Sequence, residues 1–288
     1  MATEVKHSTL AGTWYPADPR ELRQEVERAL GDERHPDAAA SAYIVPHAGY
    51  RYSGATAGAA YAMIPAGRWR RALVLAPSHY MTFRGGAVFP GRGFETPLGL
   101  VAIDEERAER LSALPLFEAA AAPYASEHSI EIQLPFLQVI DPALAIVPLL
   151  LGVSDDVQTL DHIAEALAEV VDDETLVVVS SDFTHYGEHF AYEPFPAEAA
   201  EDVAAALRRL DFGAIDPICR GDARGFERYV RDTAITICGR GPISTFLRFV
   251  EGGYSGRVER YATSLEVTGD YQHSVSYASI SFRAESTA

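Results

Sequence analysis

Basic residues are scarce in this sequence of 288 residues. Lysine and arginine number 24 against 41 aspartates and glutamates, which leaves a formal net charge of −17 at pH 7. Such a negative field repels phosphate backbones and anionic lipid headgroups, and no lysine- or arginine-rich run offsets it locally. We therefore expect neither nucleic acid nor a membrane surface as a partner.

Cysteines and long apolar runs are also few. The two cysteines, Cys219 and Cys238, are too few for a disulfide framework and too far apart for a CxxC motif, so both are expected as reduced thiols. No run approaches the roughly 18 apolar residues that a membrane-spanning helix needs, and the first residues lack the basic and apolar pattern of a secretory signal. These absences favour a cytoplasmic protein.

What the sequence does contain is a set of short apolar runs between helical patterns. The runs are 42–45, 72–76, 144–152 and 175–181. The helical patterns are 19–30 (after an Asp18 cap), 53–64, 129–140, 155–171, 197–210, 222–232 and 242–249. Continuous apolar strands that alternate with helices indicate a mainly parallel sheet with helices on both faces, a doubly wound α/β fold.

The last part of the chain has a different pattern. Residues 257–269 and 274–282 show the polar and apolar alternation of strands, which predicts an antiparallel hairpin at or near one edge of the sheet. No repeat, low-complexity tract or linker divides the chain. We therefore expect one domain over residues 1–288.

Histidines follow three of the predicted strands. His47 follows the 42–45 strand, His79 follows the 72–76 strand, and Asp182 and His185 follow the 175–181 strand. In an open α/β sheet the ligand crevice lies outside the carboxyl ends of the strands. One such histidine is usually a surface or hydrogen-bonding residue, but three at equivalent positions predict a common site.

Two neutral imidazoles suit a divalent transition metal better than they suit magnesium or calcium, which prefer oxygen ligands. Cys238 offers a third ligand, since it lies in a glycine-rich turn before a predicted helix, where backbone N–H groups favour a thiolate. The alternative is that Cys238 packs as a small buried apolar residue. Sequence chemistry alone leaves both open.

Glu127, His128 and Glu131 lie at the start of a helix predicted over 126–138, with Ser126 as its cap. Acidic residues in a first helical turn are stabilising, so helix capping accounts for the two glutamates, and His128 is the candidate substrate contact. Tyr50 follows His47 closely and is a second candidate for binding an aromatic or anionic substrate.

Two other site types fit the sequence poorly. The serines before Asp182 and His185 lack the GxSxG elbow of a serine hydrolase. The stretch "GATAG" (54–58) lacks the GKS or GKT ending of a phosphate-binding loop, and its small residues are better explained by close helix packing.

Six motifs, taken together, resemble the MEMO family in identity and order. They are "GTWYP" (12–16), "VPHAGYRYSG" (45–54), "SEHSIEIQLPFLQ" (126–138), "SSDFTHYG" (180–187), "CGRGPI" (238–243) and "SVSYAS" (274–279). The family is similar in fold to the class III extradiol ring-cleaving dioxygenases (LigB-like). The resemblance therefore implies an α/β fold with a mixed central sheet.

The same resemblance implies a site. His47, His79 and Cys238 match the family's metal-binding positions, and Trp14 matches an aromatic residue at the pocket rim. By analogy with the dioxygenases, His185 would be the base that accepts the substrate proton, with Asp182 orienting it or tuning its pKa.

Two functions follow from this resemblance. One is a non-haem Fe(II)-dependent dioxygenase or oxidoreductase for a small aromatic or phenolic substrate, with copper or zinc as alternative metals because a thiolate is softer than a carboxylate. The other is a non-catalytic metal-handling, ligand-binding or peptide-binding protein that keeps the pocket. Bacterial relatives accompany a radical-SAM protein and an AMMECR1-like protein, so these are expected partners in a shared pathway.

Overall fold

The structure, a computed structural model, describes residues 4–32, 34–152, 156–195 and 199–285. The strands are β1 (Val5–Lys6), β2 (Ala40–Val45), β3 (Arg71–Pro77), β4 (Gly86–Val88), β5 (Gly93–Thr96), β6 (Gly99–Ala102), β7 (Phe117–Ala119), β8 (Ala145–Leu151), β9 (Thr175–Ser180), β10 (His185–Tyr186), β11 (Tyr254–Thr263) and β12 (Ser274–Ala284). The helices are α1 (Pro19–Leu30), α2 (Tyr50–Tyr61), α3 (Glu105–Ser112), α4 (Leu134–Ile140), α5 (Val157–Leu167), α6 (Ala200–Cys219), α7 (Ala223–Thr233), α8 (Arg240–Phe249) and α9 (Leu265–Thr268).

A large mixed sheet forms the centre of the molecule. Its strand order is β10-β12-β2-β9-β3-β8-β4-β7, and β11 pairs with the other side of β12. The four middle strands β2, β9, β3 and β8 are parallel to one another. Every residue of β3 and β9 is buried, as expected for strands covered on both faces. The predicted α/β fold with a parallel core is confirmed.

The predicted terminal hairpin is also present. β11 and β12 pair antiparallel, and β12 joins the parallel core through an antiparallel pairing with β2. The connection between the two strands is longer than the predicted turn because it contains the short helix α9. This hairpin makes the sheet mixed and covers the free edge of β2.

Short strands that the sequence pattern did not predict complete the fold. β1, β5 and β6 form a separate small sheet, and β4 and β7 extend the far edge of the large one. Each has between two and four residues, too few for a period of two to stand out.

The first two helices pack closely together. Asp18 caps α1 by accepting hydrogen bonds from the backbone of Arg20 and Glu21, as predicted. In α2, a Cβ atom at Gly58 would lie 2.0 Å from the carbonyl oxygen of Ala29. The small residues of "GATAG" therefore let two helices approach each other, and they form no phosphate-binding loop.

The helix predicted at 126–138 begins later than expected. A 3₁₀ turn covers Glu131–Gln133 and α4 starts at Leu134, with Pro135 in its first turn. Ser126 is therefore not a helix cap. Glu127 precedes both helical segments and Glu131 lies in the 3₁₀ turn, so neither glutamate lies in the first turn of α4. The helices predicted from 155 and 197 begin in residues outside the described ranges.

The described parts of the chain contain no helix that is both long and apolar enough to cross a membrane.

Candidate metal centre

Three parallel strands bring the predicted residues to one edge of the sheet. β2, β9 and β3 are consecutive in the sheet, so their carboxyl ends lie side by side. His47, Asp182 and His79 each lie two residues beyond the end of their strand. The imidazole rings of His47 and His79 are 5.1 Å apart, centre to centre.

Cys238 reaches the same place from the loop before α8. The residue after it, Gly239, packs so tightly that a Cβ atom there would lie 2.4 Å from the Cβ of Ser181. This close approach places the Cys238 Sγ 3.1 Å from the His47 Nε2 and 3.2 Å from the backbone nitrogen of Asp182, which donates to it. A residue from the last third of the chain thereby joins the two imidazoles.

The hydrogen bonds around His47 fix its tautomer. The Ser180 hydroxyl donates its proton to the carbonyl of Ser129 and accepts a hydrogen bond from the Gln133 amide. It must therefore also accept at its contact with the His47 Nδ1, 2.9 Å away, so that Nδ1 carries the proton. The lone pair of the His47 Nε2 is left facing Cys238.

His79 is held in the same way by a carboxylate. Its Nδ1 lies 2.9 Å from the Glu127 Oε1, and its backbone N–H donates to the Glu127 Oε2. Burial opposes ionisation of Glu127, but these bonds and those from the backbone of Ser129 outweigh it and lower its pKa to about 2. An ionised Glu127 accepts from the His79 Nδ1–H, which leaves the Nε2 lone pair free.

His185, which lies in β10, is oriented by carbonyl groups. Its Nδ1 is 2.9 Å from the Phe183 oxygen and 3.0 Å from the Thr236 oxygen, and carbonyls can only accept. Nδ1 therefore carries the proton and Nε2 is the free base. The carbonyls, and not Asp182, orient His185, since the Asp182 Oδ1 accepts from the backbone N–H of His47 at 2.7 Å; the alternative, an electrostatic effect of Asp182 on His185, stays a prediction.

These donors fit a transition metal. One ligand atom each from His47, His79 and Cys238 all lie within 4.8 Å of one another. An imidazole and thiolate set suits iron, copper or zinc better than magnesium or calcium. His79, Glu127 and His128 meet the same distance limit, but the oxygens of Glu127 already accept four hydrogen bonds. The first group is therefore the better candidate.

Burial controls the ionisation of the two acidic groups at the site. It raises the pKa of Asp182 to about 6, against the opposing effect of the neighbouring His185. Burial, followed by the charge of Asp182, also raises the pKa of the Cys238 thiol above its ordinary value. The backbone N–H groups of Asp182 and Gly239 favour the thiolate, as expected from the sequence, but burial outweighs them, so a nearby cation is needed to stabilise it.

His128 and Trp14 form one wall of the site. The His128 ring stacks on His79 at 4.6 Å and lies 4.6 Å from the Trp14 ring. Burial lowers the pKa of His128 to about 4. Its buried Nδ1 makes no well-aligned hydrogen bond to a described residue and lies 3.4 Å from the Glu127 Oε1.

A cavity of about 410 Å³ opens over these groups. It is lined by Thr13, Trp14, His47, Ala48, Gly49, Tyr52, His79, His128, Asp182, His185, Phe190, Val275 and Tyr277. Tyr50, predicted to contact substrate, is not in this lining. Its ring packs on Phe136 and its hydroxyl donates to the Ile132 carbonyl, so of these two neighbouring tyrosines it is Tyr52 that faces the cavity.

Several contributing residues were not singled out from the sequence. Ser180, Gln133 and Thr236 orient the imidazoles, and Phe190, Val275 and Tyr277 line the cavity. Most of them lie inside or beside the motifs quoted above. Their position in a motif was visible, but which side chain faces the site depends on local backbone geometry.

Comparison with known proteins identifies the family of the chain. The family model described as "Memo-like protein" matches residues 6–281. The chain belongs to the Memo family.

Relatives of similar length occur in distant organisms. A MEMO1 family protein of Thermococcus kodakarensis is 35% identical over 97% of this chain and 99% of its own length. One from Methanopyrus kandleri is 34% identical over 95% and 97%. The Caenorhabditis elegans protein memo-1 homolog is 33% identical over 96% of this chain and 81% of its own. An uncharacterized Escherichia coli K12 protein of known structure superposes with a TM-score of 0.48 at 15% identity, covering 83% of this chain and 98% of that one.

Proposed function

We propose that this Memo-family chain is a metal-dependent oxidoreductase of the dioxygenase type, with Fe(II) as its metal and a small phenolic compound as its substrate. The supporting observation is that one ligand atom each from His47, His79 and Cys238 lies within 4.8 Å of the others beside a cavity, while Ser180 and Glu127 engage the Nδ1 atoms of the two imidazoles. Iron is preferred to copper or zinc because of the resemblance to the extradiol dioxygenases.

Each side chain then has a role. His47, His79 and Cys238 hold the metal, and the free Nε2 of His185 accepts the proton of a phenol that enters the cavity. Trp14 and His128 form the wall against which an aromatic ring lies. Fe(II), when bound, supplies a contact for the phenol oxygen and the electrons for oxygen chemistry.

A second candidate is a metal-handling protein without turnover. The observation that favours it is Cys238, because a thiolate prefers copper(I) or zinc and is easily oxidised beside an iron that activates oxygen. The pocket would then retain a ligand without transforming it.

Metal analysis of protein purified without oxygen tests the site that both candidates share. We expect about one iron per chain in the wild type, and a loss of tenfold or more in metal affinity for His47→Ala and for Cys238→Ser. His162→Ala, at an exposed histidine on α5, is the matched control and keeps wild-type affinity. Unchanged affinity in both site variants overturns the proposal.

Oxygen consumption separates the two candidates. The iron-loaded protein is mixed with a panel of catechols, and consumption that disappears in His185→Gln supports the oxidoreductase. Tight metal binding with no consumption for any catechol supports metal handling. Copper or zinc in place of iron points to the same second candidate.

A further inference from the structure

Large apolar side chains are exposed around the mouth of the metal cavity. Tyr52 and Phe190 line it and are 38% and 39% exposed. Tyr80 follows His79, is 60% exposed, and its ring lies 6.0 Å from that of His128. Exposed apolar groups concentrated beside a cavity are typical of a surface that binds an apolar ligand.

The charged groups of the cavity lining also favour an uncharged ligand. Lysine and arginine are absent from the described residues that line it, and its carboxylate is Asp182. Asp182 already accepts the backbone N–H of His47. In the protein without metal, a carboxylate or phosphate on a ligand would have to lose its water shell without gaining a cationic partner from the lining, which is costly.

The two ends of the cavity therefore differ in chemistry. Its buried floor carries His47, whose Nε2 lies 3.1 Å from the Cys238 Sγ, and its exposed mouth carries Tyr52 and Phe190. We propose that the substrate is an uncharged phenol or catechol whose oxygen faces the metal donors and whose apolar substituent lies against Tyr52 and Phe190. This proposal rests on the function proposed above and adds to it the chemical class of the substituent.

One basic group near the mouth suggests an alternative, an anionic substrate. The guanidinium of Arg51 lies 5.8 Å from the centre of the Tyr52 ring. If Arg51 instead held the tail of an anionic substrate, a carboxylate on the ring would strengthen binding. The two ideas predict opposite orders of affinity.

Calorimetry with three probes decides between them. Catechol, 4-tert-butylcatechol and 3,4-dihydroxybenzoate are titrated into the protein without metal and with Zn²⁺, which supports no oxygen chemistry. Burial of one methylene contributes about a fourfold gain, so the tert-butyl compound should bind at least about tenfold more tightly than catechol. The dihydroxybenzoate should bind at least about fivefold more weakly than catechol. The same order is expected with and without the metal, because the mouth and not the floor sets it.

Variants test whether Tyr52 and Phe190 cause the preference for the tert-butyl compound. Phe190→Ser and Tyr52→Ser should reduce the tert-butyl preference to about threefold or less while Zn²⁺ affinity stays unchanged. Val267→Ser, at an exposed apolar residue of α9 that does not line the cavity, is the matched control and keeps the full preference. Arg51→Gln should change none of the three affinities.

Three results overturn the inference. They are equal affinity for catechol and its tert-butyl derivative, tighter binding of the dihydroxybenzoate that Arg51→Gln abolishes, and no binding of any probe in either state. Loss of Zn²⁺ binding alone is a different failure, since it removes the proposed metal site and leaves the order of probe affinities measurable in metal-free protein.

Discussion

At the scale of single residues, the tautomers of three histidines determine what the site can do. Ser180, Glu127 and the carbonyls beside His185 each fix a proton on an Nδ1 atom. All three rings therefore present an Nε2 lone pair, the form needed by a metal ligand or a base. The chemistry of the site depends on these neighbours as much as on the imidazoles.

Glu127→Gln tests this dependence. The amide cannot provide a charged acceptor to the His79 Nδ1–H, so we expect metal affinity to fall by about 10- to 100-fold. Competition titration against a chromophoric chelator measures the change. Glu118→Gln, at an exposed position of β7, is the control and should bind as the wild type does. A change of less than threefold in Glu127→Gln would show that Glu127 does not support His79.

Strand ends were enough to predict His47 and His79 as neighbours, whereas Cys238 was assigned to the site through the family resemblance. The choice between Tyr50 and Tyr52 was not predictable in the same way. Because α2 begins at Tyr50 and not at the predicted residue 53, these two tyrosines lie in its first turn. Residues two apart on a helix point about 200° away from each other, so one faces the core and the other the cavity.

At the scale of elements, a buried carboxylate ties the N-terminal segment to the turn before α4. Glu131 accepts hydrogen bonds from Ser8, Thr9, Leu10 and Tyr15 and forms an ion pair with the buried Lys6 at 2.9 Å. These partners come from one stretch of chain. The same stretch carries Trp14 into the cavity lining. An interaction remote from the metal donors therefore positions one of the cavity walls.

Glu131→Gln should destabilise the fold. It leaves Lys6 as a buried charge without its carboxylate, which costs about 3–5 kcal/mol of unfolding free energy. Urea denaturation at pH 7 measures this loss. Glu251→Gln, at an exposed position, is the control and should lose less than about 0.5 kcal/mol.

The pH dependence of the free energy of unfolding tests the role of Glu131 a second time. Burial opposes ionisation of Glu131, but the charge of Lys6 and the donors around it lower its pKa below the ordinary 4.5. The folded state then binds fewer protons than the unfolded chain, so this stabilisation is present above pH 4.5 and lost as the pH falls below it. Glu131→Gln should show a shallower acid slope. An identical slope would contradict the assignment.

The positions of the long strands along the chain were predictable because continuous apolar runs mark them. The first residues of the helices were harder to predict, and the 126–134 segment shows why. Its acidic residues match the pattern of a capped helix, but Glu127 and Glu131 are used by partners 48 and more than 110 residues away in sequence. Long-range hydrogen bonds of this kind leave no local signal.

At the scale of the whole molecule, the net charge of −17 opposes compaction. Arg71 is buried and pairs with Asp104 and Asp172, both at 2.7 Å, and salt screens such buried pairs little. Salt should therefore relieve general repulsion more than it weakens these pairs.

We expect the melting temperature to rise between 10 and 150 mM NaCl. A gain on the order of 1 kcal/mol corresponds to about 2 °C for a chain of this size. Thermal unfolding followed by circular dichroism measures the shift. At pH 4.9, near the isoelectric point, the effect should disappear. A fall in melting temperature with salt at pH 7 would mean that ion pairs dominate.

Family membership and fold class could be predicted because the six motifs span almost the whole chain. The contribution of Cys238 to the site could not be deduced from spacing alone. It depends on Gly239 fitting against Ser181, a contact between segments 58 residues apart. Such a contact exists only once the sheet and α8 are assembled.

The fixed imidazole protons have a consequence for exchange at the site. Rotation of a ring would break a hydrogen bond to Ser180, Glu127 or Thr236. The imidazole Nε2 atoms are therefore oriented before any metal or ligand binds. Because folding itself sets the orientation of these donor atoms, one bound metal or ligand can replace another without rearrangement of the chain. The residence time then depends on the bonds that the bound species itself makes.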